Sequence, residues 1–115
     1  MNKKLIVQII LLIPTFMIAQ DLIPPAVISN FKKATTYDEL SAYVHQLDRA
    51  SDILKVEESG KSVEGRNLYA MTYSSSRFGK DPSKIKVLIF AQQHGNETSG
   101  KDALLYLIRQ IAEDP

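Results

Sequence analysis

His94 and Glu97 stand three residues apart in the stretch IFAQQHGNETSG, which runs from Ile89 to Gly100. An imidazole nitrogen and a carboxylate oxygen each bind zinc at roughly 2.0 to 2.2 Å, so the two side chains have the chemistry of two legs of a metal site. Gly95 and Asn96 between them tolerate left-handed backbone angles, which predicts a sharp turn bringing imidazole and carboxylate towards one point. A catalytic zinc site keeps three protein ligands and one open position, and two histidines with a glutamate is a recurring set. The other histidine, His45, falls off the apolar stripe of its own helix and is expected to be a surface residue, not the third ligand.

Simpler readings compete with each of these. His94 and Glu97 also suit a polar strand exit followed by the first turn of a helix, where glutamate is favoured by the helix dipole. Asn96-Glu97-Thr98 matches a glycosylation acceptor, but a glycan there would crowd the metal pair. Ser59-Gly60-Lys61-Ser62 invites a phosphate-loop reading, yet Lys55 stands where the leading glycine is needed and the segment joins two strands. Ser74-Ser75-Ser76 lacks the flanking glycines of a nucleophile elbow. The chain has no cysteine, so disulfides, thiolate metal sites and a cysteine nucleophile are all excluded.

The elements that must position the pair can be read from periodicity. Thr36-Tyr37-Asp38-Glu39 has the S/T-x-x-E pattern of a capping box. Leu40, Tyr43, Val44, Leu47 and Ala50 follow at helical spacing, predicting an amphipathic helix over Tyr37 to Ala50. Ile53 to Ser59 alternates as a half-exposed strand does, and Leu68 to Tyr73 supplies the second arm of an antiparallel hairpin. Ser74 to Ser83 reads as loop. Ile85 to Ala91, IKVLIFA, is nearly continuous in branched and aromatic residues and predicts a strand covered on both faces. From Thr98 a second long helix is expected, with Leu104, Leu107, Ile108 and Ile111 as its core-facing stripe. His94 and Glu97 then lie at the carboxyl end of a buried strand, where open α/β sheets gather their ligands.

Residues 1–19 begin with Lys3 and Lys4 and continue through an apolar run from Leu5 to Ala19, which reads as a signal peptide cleaved after Ala19. The run contains Pro14 and is shorter than the about 20 apolar residues of a spanning helix, so no stable membrane anchor is expected. Export then ends in the periplasm or outside the cell. Removing the segment takes Lys3 and Lys4 with it, changing the balance from 14 basic and 13 acidic residues to 12 and 13. Without a basic cluster beyond Lys32-Lys33, nucleic acid is not an expected partner. Residues 20–35, with Pro24-Pro25, read as an extended lead-in.

The stretch GKSVEGRNLYAMTY, then KVLIFAQQHGNETSG, then an apolar helix, resembles the opening of the zinc carboxypeptidase family typified by carboxypeptidase A. An H-x-x-E pair after a buried strand, preceded by G-x-S-x-x-G-R, is a fairly specific combination. The resemblance runs from about Tyr37 to the end of the chain. It implies an α/β fold in which residues 36–115 form the front portion of a mixed-sheet zinc carboxypeptidase-like domain, incomplete in this chain. It also implies zinc as cofactor, His94 and Glu97 as two of its ligands, and a peptide or protein substrate cut at its C-terminal residue. The third ligand, the arginines that hold the substrate carboxylate and the catalytic glutamate are implied beyond Pro115, so no catalytic residue is expected here. Many digestive members have arginine between the ligands where this chain has Asn96, so their substrate subsite is not carried over. Two alternatives stand beside the exported carboxypeptidase. One is a zinc amidohydrolase, deacylase or cell-wall peptide hydrolase of the same fold, and the other is a secreted α/β piece without activity. The fragment alone is expected to be inactive. Oligomeric state and residue preference are not legible in the sequence.

Overall fold

The computed structural model describes residues 22–113. The signal peptide expected over residues 1–19 lies outside them. The elements in chain order are α1 (Pro25–Ile28), α2 (Tyr37–Ala50), β1 (Leu54–Lys61), β2 (Asn67–Tyr73) and α3 (Thr98–Glu113). This is the expected α/β arrangement, with one antiparallel two-stranded sheet among the described residues.

The lead-in is not extended throughout. Pro25, whose fixed φ suits a first helical position, starts one turn of helix, and the Val27 and Ile28 amides donate to the Pro24 carbonyl. Asn30 and Phe31, with φ of 51° and 58°, then turn the chain out of it. Ala26 is buried and the Leu22 carbonyl accepts the Tyr43 hydroxyl at 2.9 Å, so the segment is fastened to α2.

The helix α2 occupies the residues its sequence predicts, and its start is set locally. The Thr36 hydroxyl accepts from the Glu39 amide at 3.3 Å, and Glu39 Oε2 accepts from the Thr36 amide at 2.8 Å, closing the capping box. Tyr43, Val44 and Leu47 form its buried face.

The hairpin also follows its sequence. Leu54 pairs with Tyr73 and Lys61 with Asn67, with a bulge between Glu58 and Gly60. The tight end is built by Ser62 and Gly65. The Ser62 amide donates to the Arg66 carbonyl at 2.8 Å, the Arg66 amide donates to Ser62 Oγ at 3.1 Å, and Gly65 has a φ of 78°. The serine and second glycine of G-x-S-x-x-G-R are therefore turn-forming residues. Arg66 lies over the Tyr37 ring at 5.8 Å from its centroid and pairs with Glu64 at 2.8 Å.

Two further expectations need correction. Ile85 to Ala91 is neither a strand nor covered: Ile85 is 90% exposed, Leu88 86% and Phe90 71%. A strand is defined by its ladder, and among the described residues β1 and β2 pair only with each other. In α3 the residue seated in the core is Leu105, with Ile108 and Ala112 packed beside it, while Leu107 is 38% exposed. This helix is apolar around more than one face. Of the expected stripe Leu104, Leu107, Ile108 and Ile111, Ile108 does pack against the core. Contact with Tyr43, Val44, Leu47 and Leu54 nevertheless centres the buried face on Leu105, Ile108 and Ala112, which satisfy helical spacing equally.

Candidate metal centre

The stretch carrying the candidate ligands leaves the Ile85–Ala91 segment through Gln92, whose φ is 57°. The Glu97 amide then donates to the His94 carbonyl at 3.1 Å, which closes a four-residue turn around Gly95 and Asn96. The turn forms as expected but by another route, since neither Gly95 nor Asn96 has a positive φ. Gln92 Nε2 donates to the Gly95 carbonyl at 3.1 Å and braces the turn from the other side. Glu97 immediately precedes Thr98, the first residue of α3, so its carboxylate stands at the positive end of that helix.

The turn brings the two side chains together. His94 Nδ1 lies 3.0 Å from Glu97 Oε1, and the side chains are 67% and 58% exposed. Because a carboxylate only accepts, this contact is a hydrogen bond donated by the ring nitrogen. Two ligands each about 2.1 Å from a tetrahedral metal lie roughly 3.4 Å apart, so a small opening of the pair accommodates a zinc ion between them. Donor chemistry, spacing and access therefore fit a metal with these two groups as ligands. Among the described residues no group of three His, Cys, Asp or Glu side chains is placed to hold a metal ion.

His45 belongs elsewhere. It is half-buried, with its ring edge-on to Tyr69 at 5.3 Å between centroids, instead of lying free at the surface as its place off the apolar stripe predicts. The stripe describes contact with the core, and Tyr69 from β2 covers the adjoining face of α2. Tyr37 stacks on the same Tyr69 ring at 6.5 Å, and Ser41 Oγ meets the Tyr69 hydroxyl at 2.6 Å. That Ser41 contact holds the Tyr69 hydroxyl below its ordinary range, whereas the hydrogen bond with Tyr69 raises Tyr37.

One feature near the pair has no signal in the sequence. Thr35, 4% exposed, is gripped from both sides by α3. Its amide donates to Asp102 Oδ1 at 3.3 Å and Oδ2 at 3.5 Å, and its carbonyl accepts Lys101 Nζ. Its own hydroxyl has no hydrogen-bond partner among the described residues. The link spans 67 residues of chain, beyond the reach of any local pattern.

With this geometry in place, comparison with known proteins gives a consistent result. Residues 40–114 match the family model for zinc carboxypeptidases, a stretch that includes His94 and Glu97. The chain belongs to the zinc carboxypeptidase family. It is 29% identical to the carboxypeptidase N catalytic chain of Rattus norvegicus over 98 residues, which cover 80% of this chain and 21% of that protein. The corresponding human chain is 30% identical over 79 residues, 68% of this chain and 17% of the relative. Carboxypeptidase Z of Mus musculus is 29% identical over 66 residues, 57% of this chain and 10% of the relative. The chain thus spans about a fifth or less of the length of these curated relatives. No solved structure matches it. No helix among the described residues is long and apolar enough to cross a membrane.

Proposed function

We propose that His94 and Glu97 are two zinc ligands of an exported carboxypeptidase that releases C-terminal residues from a peptide or protein substrate. The observation that carries this reading is the 3.0 Å approach of His94 Nδ1 to Glu97 Oε1 at an exposed turn, inside the stretch matched by the zinc carboxypeptidase model. To act as a ligand, His94 presents the Nδ1 lone pair and keeps its proton on Nε2, so binding replaces the Nδ1–Glu97 hydrogen bond. Glu97 presents a carboxylate oxygen whose charge is favoured at the start of α3. Zinc, when bound, supplies Lewis-acid polarisation of the scissile carbonyl and activation of the attacking water. The exposure of both side chains leaves a substrate free to approach from solvent. The reading requires a third ligand in addition to this pair.

The names of the relatives favour a peptidase over a deacylase of the same fold. The test is zinc content and hydrolysis of a peptide with a free C-terminus, measured together on the full-length protein and on His94→Ala. The expected result is that zinc occupancy and activity fall in parallel. Activity lost with zinc content unchanged would remove His94 from the ligand set, and cleavage confined to small acylated amides would favour the deacylase.

A further inference from the structure

The His94–Glu97 pair is attached to the rest of the described structure chiefly through α3. On its other side it continues into Ile85–Ala91, which has no ladder partner among the described residues. Among the described residues, α3 is held at three places along its length. Leu105 is buried against α2 and β1, the Tyr73 hydroxyl donates to the Ile111 carbonyl at 2.7 Å, and Lys101 and Asp102 grip the backbone of Thr35. The first two act at the middle and the far end of the helix. The third acts five residues after Glu97, about 7.5 Å along the axis at 1.5 Å per residue, and is the nearest to the ligands.

The partner in that grip is itself immobilised. Thr35 is buried and precedes Thr36, whose capping box locks the start of α2 through the 2.8 Å contacts of its amide and hydroxyl with Glu39 Oε2. The Lys101 ammonium and the Asp102 carboxylate take the carbonyl and the amide of one peptide residue, so the clasp resists both rotation and sliding of the first turns of α3. Each bond has one charged partner, although the Asp102 contacts, at 3.3 and 3.5 Å, are long ones shared between both carboxylate oxygens.

We propose that Lys101 and Asp102 are positioning residues for the metal pair: by holding Thr35 they fix the start of α3 and so the placement of Glu97 relative to His94. This rests on the ligand reading above. Groups that orient ligands from the outer shell commonly change metal affinity 10–100-fold when removed. The test is zinc affinity of the full-length protein, by competition with a chromogenic chelator, for wild type, Asp102→Ala, Lys101→Met, Lys101→Arg and Asp48→Ala, with circular dichroism confirming that each is folded at the assay temperature. Asp48, which accepts the Val56 amide at 2.9 Å, joins α2 to β1 and serves as the control.

The expected result is about tenfold weaker zinc binding in Asp102→Ala and in Lys101→Met, near wild-type affinity in Lys101→Arg, and unchanged affinity in Asp48→Ala. If Asp102→Ala fails to fold, Lys101→Met decides the matter. Unchanged affinity in a folded Asp102→Ala or Lys101→Met, or an equal loss in Asp48→Ala, would overturn the positioning role. Wild type binding zinc no better than His94→Ala would instead remove the ligand reading, a separate result.

Discussion

The Nδ1 atom of His94 lies 3.0 Å from Oε1 of Glu97, and the backbone of the same two residues closes the turn that sets this distance. Both side chains are more than half exposed, so little folding energy depends on their contact. Glu97→Gln should therefore leave the stability of the metal-free protein within about 0.5 kcal/mol of wild type while lowering zinc affinity. Urea unfolding in the presence of chelator, set beside zinc titration, separates the two effects. A large loss of stability without metal would mark Glu97 as structural.

The Thr36–Glu39 capping box has an acid signature. Hydrogen bonds from the Thr36 amide and hydroxyl hold the Glu39 carboxyl below its ordinary range. The sign follows from a depressed folded-state pKa: the contribution is present above the ordinary glutamate pKa and is lost as pH falls through the lowered one. Thr36→Ala should cost about 1 kcal/mol at neutral pH and make the acid limb of the stability curve shallower. Thermal midpoints of the two proteins across an acid series measure both.

The opposite sign applies to Tyr43. Burial pushes its hydroxyl up to about 12, and it donates to the Leu22 carbonyl at 2.9 Å. A pKa raised in the folded state gives stability that is full below the unfolded value near 10 and declines as pH climbs from there towards about 12. Tyr43→Phe should lose about 1 kcal/mol at neutral pH and lack the alkaline decline. Denaturant midpoints at neutral and strongly alkaline pH test this.

Export makes a prediction about the N-terminus. If residues 1–19 direct secretion, the mature protein begins at Gln20. N-terminal sequencing of the exported product should read Gln-Asp-Leu, and an intact Met1 on that product would count against cleavage.

Much of the architecture was legible because it is local. The capping box and the Leu40-Tyr43-Val44-Leu47 spacing locate α2 without reference to anything distant, and strand alternation with Gly65 locates the hairpin. The pairing of the two candidate side chains was legible for the same reason: H-x-x-E names His94 and Glu97, and three intervening peptide bonds keep them within reach of each other. The fitting of one element to another was not. The helical spacing of α3 allowed Leu107 as readily as Leu105, and His45 gave no hint of Tyr69.

By itself the sequence determined α2, the hairpin, the span of α3 and the family, and named two chemically competent side chains, since periodicity, caps, turns and motif spacing act over a few residues. Only the tertiary structure decided that Leu105 enters the core, that Ile85–Ala91 stands uncovered, and that Asp102 and Lys101 meet Thr35. Those outcomes depend on which surfaces meet. Burial and long-range hydrogen bonds are properties of pairs of elements, and no single segment carries them.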